Sequence, residues 1–190
     1  AIQGGKVTLP ASIQELHMLV GGAVATILSC SFQLYAKNTI LWASNKTRKS
    51  AENLAIFFNQ HGLKTSVKMM EDSGKIDGLY KKFCKEFKHK NGFVLNATGG
   101  NRLMSWAAIL AARQSGNVSI VYRDIDAKPY HLLVMNFQGD QIINEDKRVM
   151  QCPDEVGKKI NWNLLYTKDG VKEENLNDAF YHSQTEDVKN

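Results

Sequence analysis

The stretch FVLNATGGNRLMSWAAIL, residues 93–110, carries the pattern that decides the fold. Apolar β-forming residues come first, two adjacent glycines follow, and the remainder is rich in alanine and leucine, which predicts a strand, a tight turn and a helix. Glycines let a ligand approach the main chain, and the free N–H groups of a helix start attract negative charge. We therefore expect a phosphate or nucleotide to bind at this turn, through Thr98, Gly99, Gly100, Asn101 and Arg102.

A second glycine turn follows the first predicted strand. Residues 16–20 are apolar and are followed by Gly21, Gly22 and Ala23, from which a helical pattern runs to residue 35. In the commonest doubly wound order the first and fourth strands are neighbours, and ligands bind beyond their carboxyl ends. Both glycine turns then meet at one edge of the sheet, and these three residues join the candidate site.

Strands and helices alternate along most of the chain. Further strands are predicted at residues 39–43, 64–70 and 118–124, and helices at residues 50–60 and 76–87. Alternation with short connections predicts an α/β fold, with a Rossmann-like, doubly wound and mostly parallel sheet.

Polar residues end the second of these strands. Ser44, Asn45 and Lys46 follow it directly and precede a helical pattern. Because this strand is expected to lie beside the first, its end borders the same crevice, and the three residues are added to the ligand-binding set.

The pattern changes after residue 126. Residues 130–137 and 142–143 predict an antiparallel hairpin added to the sheet edge. We expect a tail or an expression remnant at residues 1–13, the ligand-binding domain at residues 14–145 and a polar extension at residues 146–190.

Composition limits the class of partner and the compartment. The 190 residues carry a formal charge of +5, but 24 basic and 19 acidic residues are interspersed, which favours an anionic ligand over double-stranded DNA. Three cysteines, odd in number and far apart, suit a reducing cytoplasmic setting. The uncharged residues 18–36 contain glycine, serine and threonine, so we interpret them as a strand, a turn and a helix rather than a membrane span.

Motifs for catalysis are missing from the sequence. It contains no GxGxxG, GxxxxGK[ST], HExxH, CxxC or GxSxG, so no cofactor, metal site or catalytic residue is assigned. The five histidines are scattered and are interpreted as structural or surface residues, and Asp124 and Asp126 as a solvated strand end. Met104 and Trp106 have the spacing of core residues, and the lysines at positions 81, 82, 85 and 88 that of a solvated helix face.

Residues 96–104, NATGGNRLM, resemble the motif of the CRISPR-associated Rossmann fold (CARF) domain, a Thr-Gly-Gly-Thr-Lys-Leu-Met type of sequence after the fourth strand. The likeness covers residues 14–145 and is greatest for the branch found in accessory effectors of type III CRISPR systems. Asn101 and Arg102 stand where that motif has a hydroxyl and a lysine, which keeps the hydrogen bonding and the positive charge.

The resemblance implies a function in antiviral defence. Such domains bind cyclic oligoadenylates, most often cyclic tetra-adenylate, between two copies whose Thr-Gly-Gly turns face one ring. The resemblance thus implies a homodimeric sensor that binds without turnover, with adenines held by Asn45 or nearby main chain. Because the polar extension is too short for a nuclease domain, its effector output is expected to be missing from this chain, and a removed upstream transmembrane segment that tethers it to the inner membrane is one possibility.

Two other functions remain open at this stage. A ring nuclease would cleave the same ligand by aligning a 2′-hydroxyl with the phosphate, with Arg102 or Lys46 steadying the charge. An unrelated nucleotide-binding regulator with a Rossmann-like fold would bind no cyclic oligoadenylate.

Overall fold

The computed structural model describes residues 13–21, 34, 36–60, 62–70, 75–88, 90, 92–124, 131–138 and 141–149. This part of the chain contains ten elements of secondary structure, which are β1 (Ile13–Leu19), β2 (Ala36–Ala43), α1 (Arg48–Gln60), β3 (Thr65–Met69), α2 (Ile76–Phe87), β4 (Phe93–Asn96), α3 (Arg102–Gln114), β5 (Asn117–Asp124), β6 (His131–Gln138) and β7 (Gln141–Val149). The helix predicted from residue 23 to residue 35 lies outside the described residues, apart from Leu34.

The seven strands form one sheet in the order β3-β2-β1-β4-β5-β6-β7. Strands β1 to β5 pair in parallel, whereas β5, β6 and β7 pair antiparallel. The predicted Rossmann-like fold with an antiparallel edge hairpin is therefore confirmed. Strand β1 lies between β2 and β4, as the doubly wound order requires. The last strand, β7, extends well beyond residues 142–143, which the sequence predicted for it.

Alternating side chains along β1 divide the core into two layers. Leu16 and Met18 face the layer that contains α1, whereas Leu19 faces the layer formed with α2 and α3. Both faces of the central parallel strands are thus covered, which explains why β4 and the carboxyl halves of β1 and β2 are buried without alternation. Because helices cover both faces of the sheet, the loops that follow the parallel strands converge at the carboxyl ends of these strands, which we call the carboxyl edge.

A polar network lies inside the second layer. The indole Nε1 of Trp42 donates to Nδ1 of His17 at 2.9 Å, and Nε2 of His17 lies 2.5 Å from a carboxylate oxygen of Glu15. The ammonium group of Lys90 pairs with the same carboxylate. Burial lowers the pKa of His17, so its neutral form donates through Nε2, and the bonds from His17 and Lys90 lower the pKa of Glu15 to about 2. His17 is thus a structural histidine of the core.

The helix faces follow the sequence prediction with two exceptions. Lys81 and Lys85 on α2 and Lys88 directly after it are exposed as expected, but Lys82 is half-buried and its Nζ donates to the carbonyl of Met69 at 2.6 Å. Met104 on α3 is buried, but Trp106 is 66% exposed, so its assignment to the core was wrong. The small alanines of α3 occupy the side against the sheet and turn Trp106 away from it. None of the helices in the described ranges is both long enough and apolar enough to cross a bilayer.

Candidate ligand-binding edge

The two predicted glycine turns are in contact. A Cβ atom added to Gly21 would lie 2.8 Å from the main-chain N of Gly100 and 3.3 Å from its Cα. Gly100 has φ +81°, a left-handed conformation that favours glycine, and its own Cβ would lie 3.0 Å from Leu19 Cβ. Only glycine allows the main chains to approach this closely, so the ends of β1 and β4 form one continuous edge.

The residue that ends β4 shapes the turn after it. Asn96 is buried, and its Oδ1 accepts bonds from the main-chain N of Thr98 at 3.0 Å and from the Thr98 hydroxyl at 2.6 Å. Its Nδ2 atom is buried and has no hydrogen-bond partner among the residues that the structure describes. Buried amides of this kind usually bond to protein or ordered water, so this donor is left for an ordered water molecule.

Helix α3 begins at this turn and is capped by its own sequence. Asn101 is the N-cap residue, and its Oδ1 accepts from the main-chain N of Met104 at 2.9 Å. The N–H groups of Asn101, Arg102 and Leu103 have no acceptor within the helix, because they precede its first hydrogen-bonded turn. The cap oxygen of Asn101 is occupied by the helix, so the donors left at this helix start are main-chain amides and the exposed side chain of Arg102.

Positive charge accumulates at two helix starts that flank β1. Helix α3 begins with Arg102 and helix α1 with Arg48 and Lys49, and neither has an acidic residue in its first turn. A cation at the positive end of a helix is unfavourable by about 0.3–1 kcal/mol. A bound anion would reverse this cost, although Arg48 already pairs with Glu52 at 2.9 Å.

The end of β2 lies beside this edge. The main-chain N of Val20 donates to the carbonyl of Trp42, which aligns the end of β1 with the end of β2. Ser44 is half-buried and closes a turn with Thr47, whose hydroxyl accepts from the Ser44 N–H at 3.1 Å. Asn45 and Lys46 between them are exposed. This turn directs two polar side chains into solvent at the start of α1.

The structure therefore brings most of the sequence-predicted residues to one edge. Gly21, Thr98, Gly99, Gly100, Asn101 and Arg102 surround the glycine contact, and Ser44, Asn45 and Lys46 follow the neighbouring strand. Gly22 and Ala23 lie outside the described residues, as does Asp126. Whether this set binds a ligand stays a prediction.

An aromatic residue at the same edge escaped the sequence analysis. Val121 pairs with Asn96, and its carbonyl accepts from the main-chain N of Ala97 at 2.9 Å, which places Tyr122 beside the turn after β4. Tyr122 is 42% exposed. In the sequence it is one more β-former of a predicted strand, and only the register shows that it borders the candidate site.

The solved structures with a similar fold include the following three. Can2 from Sulfobacillus thermosulfidooxidans, solved in complex with cyclic tetra-adenylate, matches 73% of this chain with a TM-score of 0.60 and 14% identity. Protein VC1899 from Vibrio cholerae matches 72% with a TM-score of 0.57 and 10% identity. A type III CRISPR defence DNA nuclease activated by cyclic oligoadenylate matches 82% with a TM-score of 0.55 and 14% identity.

These similarities concern the fold and only part of each neighbour. The matched regions cover 37%, 36% and 25% of the three chains, respectively. No protein-family model matches this sequence, and no curated protein resembles it significantly.

Proposed function

We propose that this chain is a CARF-like sensor that binds cyclic oligoadenylate, specifically cyclic tetra-adenylate, between two copies of itself in a type III CRISPR antiviral response. The observation that carries the proposal is the contact between Gly21 and Gly100, which brings the ends of β1 and β4 together beside the N-terminus of α3. Two of the structures with a similar fold are described as bound to, or activated by, this class of ligand.

The chemistry of the edge suits a ring of adenylates. The phosphates are anions, and the edge offers unpaired amides at the start of α3 together with Arg102 and Lys46. The adenines are flat and aromatic, and Tyr122 supplies a face on which a base stacks. Asn45 adds donors and an acceptor for a base edge. Two copies related by a two-fold axis present each of these groups twice to one ring.

In this proposal the chain senses and does not cleave. Its output belongs to an effector part outside residues 14–145, and an upstream membrane tether is one form that such a part takes. His17 lies on β1, four residues before Gly21. It is fully buried and hydrogen-bonded to Trp42 and Glu15, so it does not act as a general base for the ring.

Thermal unfolding with added ring tests the ligand class. Cyclic tetra-adenylate at about 100 times its Kd is expected to stabilise the fold by about 2.7 kcal/mol, and linear tetra-adenylate by less because it lacks the closed, two-fold shape. An unchanged melting temperature with every cyclic oligoadenylate would overturn the proposal in favour of an unrelated nucleotide-binding regulator.

Chromatography of cyclic tetra-adenylate after incubation with the protein distinguishes a sensor from a ring nuclease. A sensor leaves the ring intact over hours at substoichiometric protein. Multiple turnovers to linear products would assign the chain to the enzymes instead.

A further inference from the structure

The two edge strands of the sheet, β3 and β7, differ in how their outer sides are closed. Strand β3 is five residues long, and Asn59 of α1 bonds to both main-chain groups of Thr65, accepting from its N–H at 3.0 Å and donating to its carbonyl at 3.0 Å. Strand β7 is nine residues long and is the last strand in the sheet, so every second residue directs its N–H and C=O groups outward. A long edge of this kind is a site for a further strand.

The hairpin of β6 and β7 loses its cover towards this edge, on the side of the sheet where α3 lies. Phe137 on β6 is 8% exposed and lies under Arg113 of α3, with 5.5 Å between the guanidinium carbon and the ring centre. Ile142 on β7 pairs with Phe137 and therefore shares its side of the sheet, but it is 52% exposed. An apolar strand beside β7 would cover Ile142.

The sequence that follows β7, outside the described residues, has the pattern of such a strand. Residues 158–166, KKINWNLLY, equal β7 in length. Apolar residues recur there at every second position, with Leu165 as the one apolar residue between them; they are Ile160, Trp162, Leu164 and Tyr166. This period of two is typical of a strand with one covered face. Residues 150–157 contain proline, aspartate and glycine, which favour a turn.

We propose that residues 158–166 of this chain pair antiparallel with β7 as the eighth strand of the sheet, with Trp162 on the same side as Ile142. Successive strands joined by a short connection are commonly neighbours in a sheet. Residues 150–157 tether the segment to the end of β7, so its effective concentration at this edge exceeds that of a second copy arriving from solution.

The ligand-binding domain then ends at residue 166 rather than at residue 145. Val149 pairs with His131, and His131 pairs with Asp124 at the end of β5, so β7 ends at the carboxyl edge. The turn at residues 150–157 lies at the same edge as the candidate site, and an effector part on the carboxyl side begins only after residue 166. This pairing does not depend on the proposed ligand and is testable without it.

Amide exchange followed residue by residue with NMR spectroscopy on the whole chain tests the edge. If the segment pairs with β7, successive N–H groups in the middle of β7 all have partners, and they are expected to exchange slowly without alternation. Strand β6 is the internal reference, because it lies between β5 and β7. Fast exchange at every second residue of β7 in the wild type would overturn the inference.

Nuclear Overhauser contacts identify the occupant of the edge. Contacts are expected between the α-protons of β7 and those of residues 158–166 within one molecule. A mixture of isotope-labelled and unlabelled protein separates contacts within a molecule from contacts between molecules. Contacts from β7 to a second molecule, or to another segment of the same chain, would overturn the inference.

Two substitutions in the segment test its contribution. Trp162→Asp is expected to lower the melting temperature by about 5 °C, because a large aromatic side chain is no longer buried beside Ile142, and to give fast exchange at every second residue of β7. Asn163→Pro leaves Trp162 in place but removes a main-chain donor, and it is expected to give the same exchange pattern.

Phe180→Asp is the matched control, an aromatic-to-acid change outside the segment. It is expected to leave the melting temperature and the exchange of β7 at their wild-type values. Equal losses in Phe180→Asp and Trp162→Asp, or wild-type exchange of β7 in both segment variants, would show that residues 158–166 do not bind this edge.

Discussion

Near the amino end of β1 the fold is held by polar side chains, whereas at the carboxyl end of the same strand the contact is between main-chain atoms. Glu15 and His17 form a chain of hydrogen bonds with Trp42 and Lys90 inside the core. Four residues after His17, Gly21 contributes no side chain and approaches the main chain of Gly100.

The difference shows which part of the strand serves stability and which is open to ligands. Buried polar groups stabilise a fold when they are all paired, and they leave no donor for anything else. A contact between glycines places no side chain over the main chain, so the N–H groups of the nearby helix start are left for a ligand. Changes at the first region are expected to alter stability alone, and changes around the second to alter binding.

The largest effect is expected for Gly21→Val, which removes the contact between the turns. The new Cβ would lie 2.8 Å from the Gly100 nitrogen, so one main chain must move. Overpacking against rigid backbone is expected to cost about 3 kcal/mol in the free energy of unfolding, measured by chemical denaturation, and to abolish ring binding.

Gly62→Val is the control for this substitution. Gly62 has φ +80° with no atom within 4 Å of an added Cβ, so its cost is the left-handed strain of about 1–2 kcal/mol. Equal costs for the two variants, or unchanged ring binding by Gly21→Val, would show that the turns need not touch.

His17→Leu is expected to weaken the fold and spare the site. It leaves the Trp42 indole N–H buried without its acceptor and removes the His17 bond to Glu15, at a cost of about 2 kcal/mol in unfolding free energy. Ring affinity is expected to stay at the wild-type value, because His17 lies away from the edge.

The pH dependence of stability gives this prediction an independent readout. The pKa of His17 is lowered by burial, so its contribution is complete above pH 6.5 and is lost as the unfolded state takes up a proton below that value. The contribution of Glu15, whose pKa falls from 4.5 to about 2, is lost between those two values. His17→Leu is expected to flatten the first part of the wild-type decline; an unchanged slope above pH 4.5 would contradict the assignment.

Arg102→Ala is expected to weaken ring binding and to leave the stability of the fold nearly unchanged, which is the opposite of the result expected for His17→Leu. Each ring loses two guanidinium contacts when both copies are changed, and a charge-assisted bond contributes about 1.5–3 kcal/mol, so Kd is expected to rise by at least about a hundredfold. The free energy of unfolding is expected to change little, because Arg102 is exposed.

Lys85→Ala on α2 removes the same charge from an exposed position outside the site. Similar losses of affinity in both variants would attribute the effect to net charge and exclude Arg102 as a specific contact.

The smallest effect is expected for Tyr122→Ala. Stacking of a base on an aromatic ring contributes about 1–3 kcal/mol and each ring loses two such contacts, so calorimetry should show a rise in Kd of about thirtyfold or more, while Tyr122→Phe keeps the wild-type affinity. Equal affinity for all three proteins would place the adenines elsewhere.

The fold was predictable from the sequence because local patterns and topological rules agree. Apolar runs, glycine turns and helical periods mark the elements, and right-handed crossovers then place β1 beside β4. The meeting of Gly21 with Gly100 follows from that order.

What escaped prediction depends on pairings between distant residues. Nothing local links His17 to Trp42, which is 25 residues away, or sets Tyr122 beside the end of β4. The orientation of Trp106 was missed for another reason. Alanines and large apolar residues both occur around α3, so the sequence does not indicate which of them face the sheet.

Isothermal titration of the wild-type protein with cyclic tetra-adenylate tests the central claim most directly, because it reports affinity and stoichiometry together. We expect saturable binding of one ring for every two chains, lost in Gly21→Val and weakened in Arg102→Ala. The absence of binding at ring concentrations well above micromolar, or binding that neither substitution affects, would contradict the account.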